Sequence, residues 1–148
     1  MVRTRTTVKP GLFLQPFVVS QLSGSIIERV VEGSEITASE YALTSWLNVI
    51  GGATPSEIAQ QLGLSPTTVS AVIERLVQKK QVRRVRHPED GRSYVLEPTA
   101  KGKVTNVRNG RRFEQELRTL RGHLEDDPEE ILELLRRFET ALRKTLAP

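Results

Sequence analysis

The stretch Thr54-Pro55-Ser56-Glu57-Ile58-Ala59-Gln60-Gln61-Leu62-Gly63-Leu64-Ser65-Pro66-Thr67-Thr68-Val69-Ser70 decides the fold. Thr54 and Glu57 stand at the spacing where a threonine oxygen takes one orphan amide of a helix start and a glutamate reaches back to another. Pro55 suits the first helical position, which needs no backbone N–H. A short helix therefore runs to Leu62. Gly63 supplies the positive φ of a tight turn. Ser65-Pro66 then cap and open a second helix through about Lys80, with Val69, Val72, Ile73, Leu76 and Val77 on one face. Two helices crossing this closely need a small residue at the crossing, glycine in the turn and apolar contacts where the second sits on the first. Ala59, Gly63 and Val69 occupy those places, and Ile58, Leu62, Leu64 and Val72 fill the other apolar positions. The pattern is that of a helix-turn-helix.

Upstream, apolar residues from Phe17 to Val31 recur at three- and four-residue spacings, predicting a helix from Pro16 to about Glu32 that Gly33 ends. Thr37-Ala38-Ser39-Glu40 is another capping box, opening a helix through Trp46 to Ile50. Before them lies a polar, basic arm whose Leu12, Phe13 and Leu14 are expected to pack. Downstream, Val82–Arg86 and Ser93–Glu97 flank the turn Pro88-Glu89-Asp90-Gly91 and read as a two-stranded hairpin. Thr99 caps a long helix striped by Phe113, Leu117, Leu120 and Leu124. Asp127-Pro128-Glu129-Glu130 begins a last one carrying Ile131, Leu135, Phe138, Leu142 and Leu146. The expected fold is mainly α with a small β-hairpin wing, a winged helix-turn-helix core within a helical dimerisation frame. Residues 1–16 are the arm, 17–34 and 99–148 the frame, and 35–98 the DNA-binding domain.

Composition narrows the function. The chain has 148 residues, 37% hydrophobic, so its core is modest and oligomerisation would help it. With no cysteine there is no disulfide, thiolate-bound metal or thiol nucleophile. His87 and His123 lie too far apart in sequence for an HxxxH or HExxH pair, so no metal site and no cofactor are expected. No GxSxG is present. Gly102-Lys103 lacks the rest of a phosphate loop, and Ser93, His87 and Asp90 share one hairpin, which does not make a triad, so no catalytic residue is expected. No apolar run approaches a membrane span, giving the expectation of a soluble, cytoplasmic protein. The net charge is +4, and its distribution is uneven. Residues 51–110 hold ten Lys/Arg against five Asp/Glu, whereas the flanking segments are close to balanced. The positive excess sits on the helix-turn-helix and hairpin, pointing to double-stranded DNA.

The chain resembles the MarR family of bacterial transcription regulators. The matching residues are Thr54 to Gly63, then Ser65-Pro66-Thr67-Thr68-Val69-Ser70, then Asp90-Gly91-Arg92 and Thr99-Ala100-Lys101-Gly102. Two positions depart from the family pattern. Pro98 stands where leucine is usual, which would shorten the second wing strand, and Ala71 stands where an arginine is common. The resemblance implies a wing arginine entering the minor groove, which would be Arg92. It also implies a small aromatic or hydrophobic effector that binds between dimer helices and reader and changes the spacing of the two readers. Tyr41 and Trp46 are the candidate lining of that pocket, with core packing as the competing role.

The residues support a reader on their own terms. Opposite the valines of the second helix lie Thr67, Ser70, Ala71, Glu74 and Gln78, flanked by Thr68 and Arg75. Short hydroxyls at a capped helix start, with Ser65, let backbone and side chains approach phosphate and base edges. Lys79, Lys80, Arg83, Arg84 and Arg86 are assigned to phosphates, and Asp90 is placed to brace the Arg92 guanidinium. Phe113, Leu117, Leu120, Ile131, Leu135, Phe138 and Leu142 form stripes that need a second copy of the chain. The reading is thus a homodimeric, ligand-responsive repressor at a pseudopalindromic operator. The competing one is a winged-helix interaction module or a non-specific DNA-coating protein without an effector.

Overall fold

The computed structural model describes residues 11–147. Their elements are α1 (Leu14–Val31), α2 (Ala38–Ile50), α3 (Pro55–Leu62), α4 (Pro66–Gln78), β1 (Val82–Arg86), β2 (Tyr94–Pro98), α5 (Ala100–His123) and α6 (Pro128–Leu146). This is a mainly helical chain with one antiparallel hairpin, in the order of a winged helix-turn-helix. It forms two compact units, one ending at Phe113 and one beginning at Glu114. Most of the arm lies outside the described residues, and Leu12, Phe13 and Leu14, expected to pack, are exposed.

Two boundaries differ from the sequence reading, each for a local reason. α1 starts at Leu14 and not at Pro16, because a proline third in a helix lacks only an amide that has no intrahelical acceptor. β2 is not shortened by Pro98 but ends on it, paired with Val82. The next amide, Thr99, takes over by donating to the Gln81 carbonyl at 3.1 Å. The loop after α2 adds an unforeseen bridge, in which Ala53 and Leu96 exchange both backbone hydrogen bonds at 3.1 and 2.8 Å. That bridge fastens the hairpin to the helices.

The helix-turn-helix forms as its caps require. Thr37 and Thr54 each close a reciprocal capping box with Glu40 and Glu57, and the Ser65 oxygen accepts the Thr68 amide at 3.1 Å. Gly63 sits at φ 63° and ψ 30°, the left-handed conformation that ends α3 and turns the chain into α4. Val69, Val72, Ile73 and Leu76 of α4 are buried with Leu43, Leu47, Ile58, Val82 and Leu96. Each such side chain contributes roughly 1.5–3 kcal/mol, enough to fix which face of α4 turns inward.

A carboxylate fixes its flank. Glu40 is fully buried. Its Oε2 accepts from the Thr37 amide at 2.9 Å and from Lys79 Nζ at 2.7 Å, while Oε1 accepts from Arg75 Nε at 3.0 Å. Burial pushes the Glu40 carboxyl up, but the hydrogen bonds from Lys79, Thr37 and Arg75 outweigh it and hold the group below its ordinary value.

In the unit from Glu114, Leu117 at the end of α5, Leu124 just after it, and Ile131, Phe138 and Leu142 of α6 are half-buried, with no fully buried residue on α6. Asp127 accepts the Glu129 amide, and acidic residues at the start of α6 with Arg143 and Lys144 at its end complement the helix dipole.

Two of these contacts are open to direct test. At Gly102 a methyl group would run into the Gln81 carbonyl, a backbone atom that cannot turn aside. Gly102→Ala should therefore lower unfolding free energy by about 2–3 kcal/mol, against a helix-propensity gain of about 1 kcal/mol. An unchanged or higher urea midpoint would show that α5 does not approach Gln81 so closely. Because the folded Glu40 carboxyl lies below its unfolded value near 4.5, its contribution is complete above that value and disappears as pH falls through the lower, folded one. Glu40→Gln should cost about 2 kcal/mol at pH 7 and narrow the gap to the parent as the pH is lowered through that range. Urea titrations at pH 7, 5 and 4 check this, and a gap that widens toward acid would contradict it.

Candidate nucleic-acid interface

With its apolar face buried, α4 turns Thr67, Thr68, Ser70 and Ala71 outward, all exposed. Thr67, Ala71, Glu74 and Gln78 follow one another at steps of four, three and four, a single stripe along the helix. At its start, the Ser65 and Thr68 hydroxyls hydrogen-bond each other at 2.8 Å. The two sides of the stripe differ. On one, Arg75 and Lys79 turn to Glu40 of α2. On the other, Glu74 pairs with Arg84 of β1, whose guanidinium lies over the Tyr94 ring, 5.1 Å from its centre. The Glu74 contact is the main reason that the Arg84 guanidinium is raised above its ordinary value.

The basic run expected at phosphate is therefore heterogeneous. Arg75, expected beside the reading face, and Lys79, expected at phosphate, both donate to Glu40, and the buried carboxylate would be uncompensated without them. Arg83 pairs across the hairpin with Glu97, at 3.2 Å from Nε and 2.8 Å from Nη2. Lys80 is exposed and follows α4 in the left-handed conformation, φ 58°. Arg86 lies against the Gly91 backbone at the wing tip. Lys80, Arg86 and Arg92 have no carboxylate partner among the described residues.

At the tip, Asp90 does not brace the Arg92 guanidinium. Its Oδ1 accepts the Arg92 backbone amide at 3.0 Å, a turn contact that shapes the loop and leaves the side chain exposed. His87 shapes the same loop, its Nδ1 accepting the amides of Glu89 and Asp90 at 3.2 and 3.1 Å.

Other expected site residues lie in the protein's interior. Tyr41 is buried and its ring centre is 6.4 Å from that of Phe113, so these two, taken as pocket lining and dimer contact, pack in one core. Trp46 packs half-buried against that core. An open groove of about 500 Å³ lies elsewhere, lined by polar groups including Ser25, Glu28, Glu32 and Thr37. Leu120 and Leu135 are exposed, at 44% and 51%. Among the described residues no cluster of His, Cys, Asp or Glu could hold a metal ion, and no helix is long and apolar enough to cross a membrane. The sequence reading missed the Glu40 and Glu74 partnerships. Glu74 gave a signal in its outward position, and Glu40 in its capping box.

Comparison with known proteins agrees with this architecture. No curated protein matches the chain. Among solved structures, apo MarR from E. coli is 22% identical, with 90% of this chain and 95% of that one covered and a TM-score of 0.68. The regulator BldR from Sulfolobus solfataricus is 19% identical over 88% of this chain and 94% of its own, with a TM-score of 0.75. The M. tuberculosis regulator MOSR, solved in complex with DNA, is 19% identical over 89% and 96%, also with a TM-score of 0.75. These likenesses concern the fold. The sequence model of the MarR family matches residues 36–94, from the loop before α2 into β2, and it spans the helix-turn-helix whose geometry is described above. The match to the MarR family model thus covers the helix-turn-helix and the first strand of the wing.

Proposed function

We propose that the protein is a homodimeric, sequence-specific DNA-binding transcriptional regulator, a ligand-responsive repressor that covers a pseudopalindromic operator. The observation that carries the reading is α4 itself. Its apolar face is engaged in the core while the stripe through Thr67, Ala71, Glu74 and Gln78 is exposed, beside a hairpin rich in arginine. A capped helix with short polar side chains at its start fits the major groove. Arg92 at the exposed wing tip suits the minor groove, whose negative potential is strongest where A·T pairs narrow it. MOSR was solved with DNA, as was a single-residue mutant of E. coli MarR with operator DNA, which supports the same partner here. Such a protein works in the cytoplasm and is not an enzyme.

The dimer rests on surface that one copy leaves uncovered. Leu12, Phe13, Phe17 and Leu22 at the start of the chain and Leu134, Leu135 and Leu146 on α6 are exposed by 51–83%. On each unit, exposed apolar groups of that kind favour association with another copy. The division into a frame of residues 17–34 and 99–148 and a reader of 35–98 belongs to this proposal, with Leu117, Leu120, Ile131, Phe138 and Leu142 in the frame. Phe113 supports the frame from the core. The small aromatic or hydrophobic effector is part of the proposal because the resemblance to the MarR family implies one. Tyr41 and Trp46, being core residues, would transmit its effect as packing elements.

Light scattering at micromolar concentration should give twice the chain mass, and replacing Phe138 and Leu142 together by Asp should abolish both dimer and operator binding, since a single reader loses the avidity of the pair. A parent of single-chain mass would contradict the dimer.

Salt dependence separates the cations. Lys80→Ala, Arg86→Ala and Arg92→Ala should each lower the slope of log affinity against log salt by about 1 per subunit. Lys79→Ala should leave the slope nearly unchanged and lower stability, because Lys79 is committed to buried Glu40. Equal slopes for Lys79→Ala and Lys80→Ala would contradict the assignment.

A further inference from the structure

Glu74 is a carboxylate in the middle of the stripe that meets DNA in the reading just given, on which this inference rests. A bare carboxylate there would be repelled by phosphates, yet this one is accompanied. Arg84 donates Nη2 to Glu74 Oε1, and the Arg84 guanidinium lies over Tyr94, so the cation is held from two sides. The planar guanidinium can donate to the carboxylate while stacking on the ring, which an ammonium does less well. The pair has nearly zero net charge. Glu74 Oε2 is left to meet a ligand, and its side chain is 57% exposed.

We propose that Glu74 is a specificity-determining residue whose Oε2 accepts a hydrogen bond from an exocyclic amino group in the major groove, cytosine N4 above all. Arg84 and Tyr94 are its positioning residues. The choice of base follows from the edges on offer. Guanine presents only acceptors there, and thymine an acceptor and a methyl group, so both repel or waste a carboxylate. Adenine sets its N6 donor beside the N7 acceptor, which opposes a second carboxylate oxygen. Cytosine presents the N4 donor with no acceptor of its own beside it. Thr67 and Ala71 earlier on the stripe and Gln78 beyond it would face neighbouring base pairs, so the preference belongs to one position in each half-site.

Selection from a pool of random duplexes by the full-length protein, followed by titration of the selected sites, tests this. The parent should favour cytosine at one position of each half-site by about tenfold over the other bases. Glu74→Ala should erase that preference and leave the others in place. Glu74→Gln should move it to adenine, which a carboxamide reads through N6 and N7 together. Arg84→Lys should weaken the cytosine preference severalfold at an unchanged salt slope, whereas a cation that only touched phosphate would leave base preference intact. Since Glu74 and Arg84 are exposed, the variants should fold, and their circular dichroism should match the parent's. If Glu74→Ala selects the same bases as the parent at every position, the inference is overturned while DNA reading stands. If the parent enriches no sequence, DNA reading fails and takes the inference with it.

Discussion

The buried carboxylate of Glu40 is the constraint on which the rest depends. An apolar face decides that α4 lies on the core, but hydrophobic contact is non-directional and does little to stop a helix from rolling or sliding. Hydrogen bonds to a charged group have direction. Glu40 belongs to the capping box of α2 and receives Arg75 from the last turn of α4 and Lys79 from its C-cap, so the start of α2 and the end of α4 are joined at one point. Moving α4 would strand a charge with no water to receive it, which costs several kcal/mol.

The opposite flank is held differently. Glu74 and Arg84 form a pair at the surface, side chains 57% and 39% exposed, and Arg83 with Glu97 forms another. Exposed pairs contribute less than about 1 kcal/mol, so phosphates can compete for Arg83, whereas Arg84 is held over the Tyr94 ring as well. α4 thus has one flank fixed inside the protein and one joined to the hairpin at the surface through Glu74 and Arg84. The Ala53–Leu96 bridge and the approach of α5 to Gln81 keep the hairpin itself in place. The wing tip follows the same logic on a smaller scale, with Asp90 and His87 accepting backbone amides so that Arg92 need not be held by its side chain.

Much of this was legible in the sequence because it depends on neighbours in the chain. The capping boxes at Thr37 and Thr54, the turn at Gly63, the inward face of α4 and the hairpin around Pro88-Glu89-Asp90-Gly91 all follow from spacings of a few residues. What was not legible crosses long separations. Arg75 and Lys79 look like members of a basic patch, and only the fold brings them to Glu40, more than thirty residues earlier. Tyr41 meeting Phe113 is another such contact, and it turns an expected pocket residue and an expected dimer residue into core. Pro98 misled for the opposite reason: a strand can end on a proline when the following amide carries on the pairing.

Amide hydrogen exchange at pH 7, compared between the parent and Glu40→Gln, tests the central role of the carboxylate most directly. That substitution keeps the shape and an acceptor for the Thr37 amide while removing the charge that Arg75 and Lys79 surround. The account predicts faster exchange confined to α4 and the first turn of α2, with β1, β2 and α5 protected as in the parent. Unchanged protection in α4, or an equal loss throughout the unit that ends at Phe113, would contradict it.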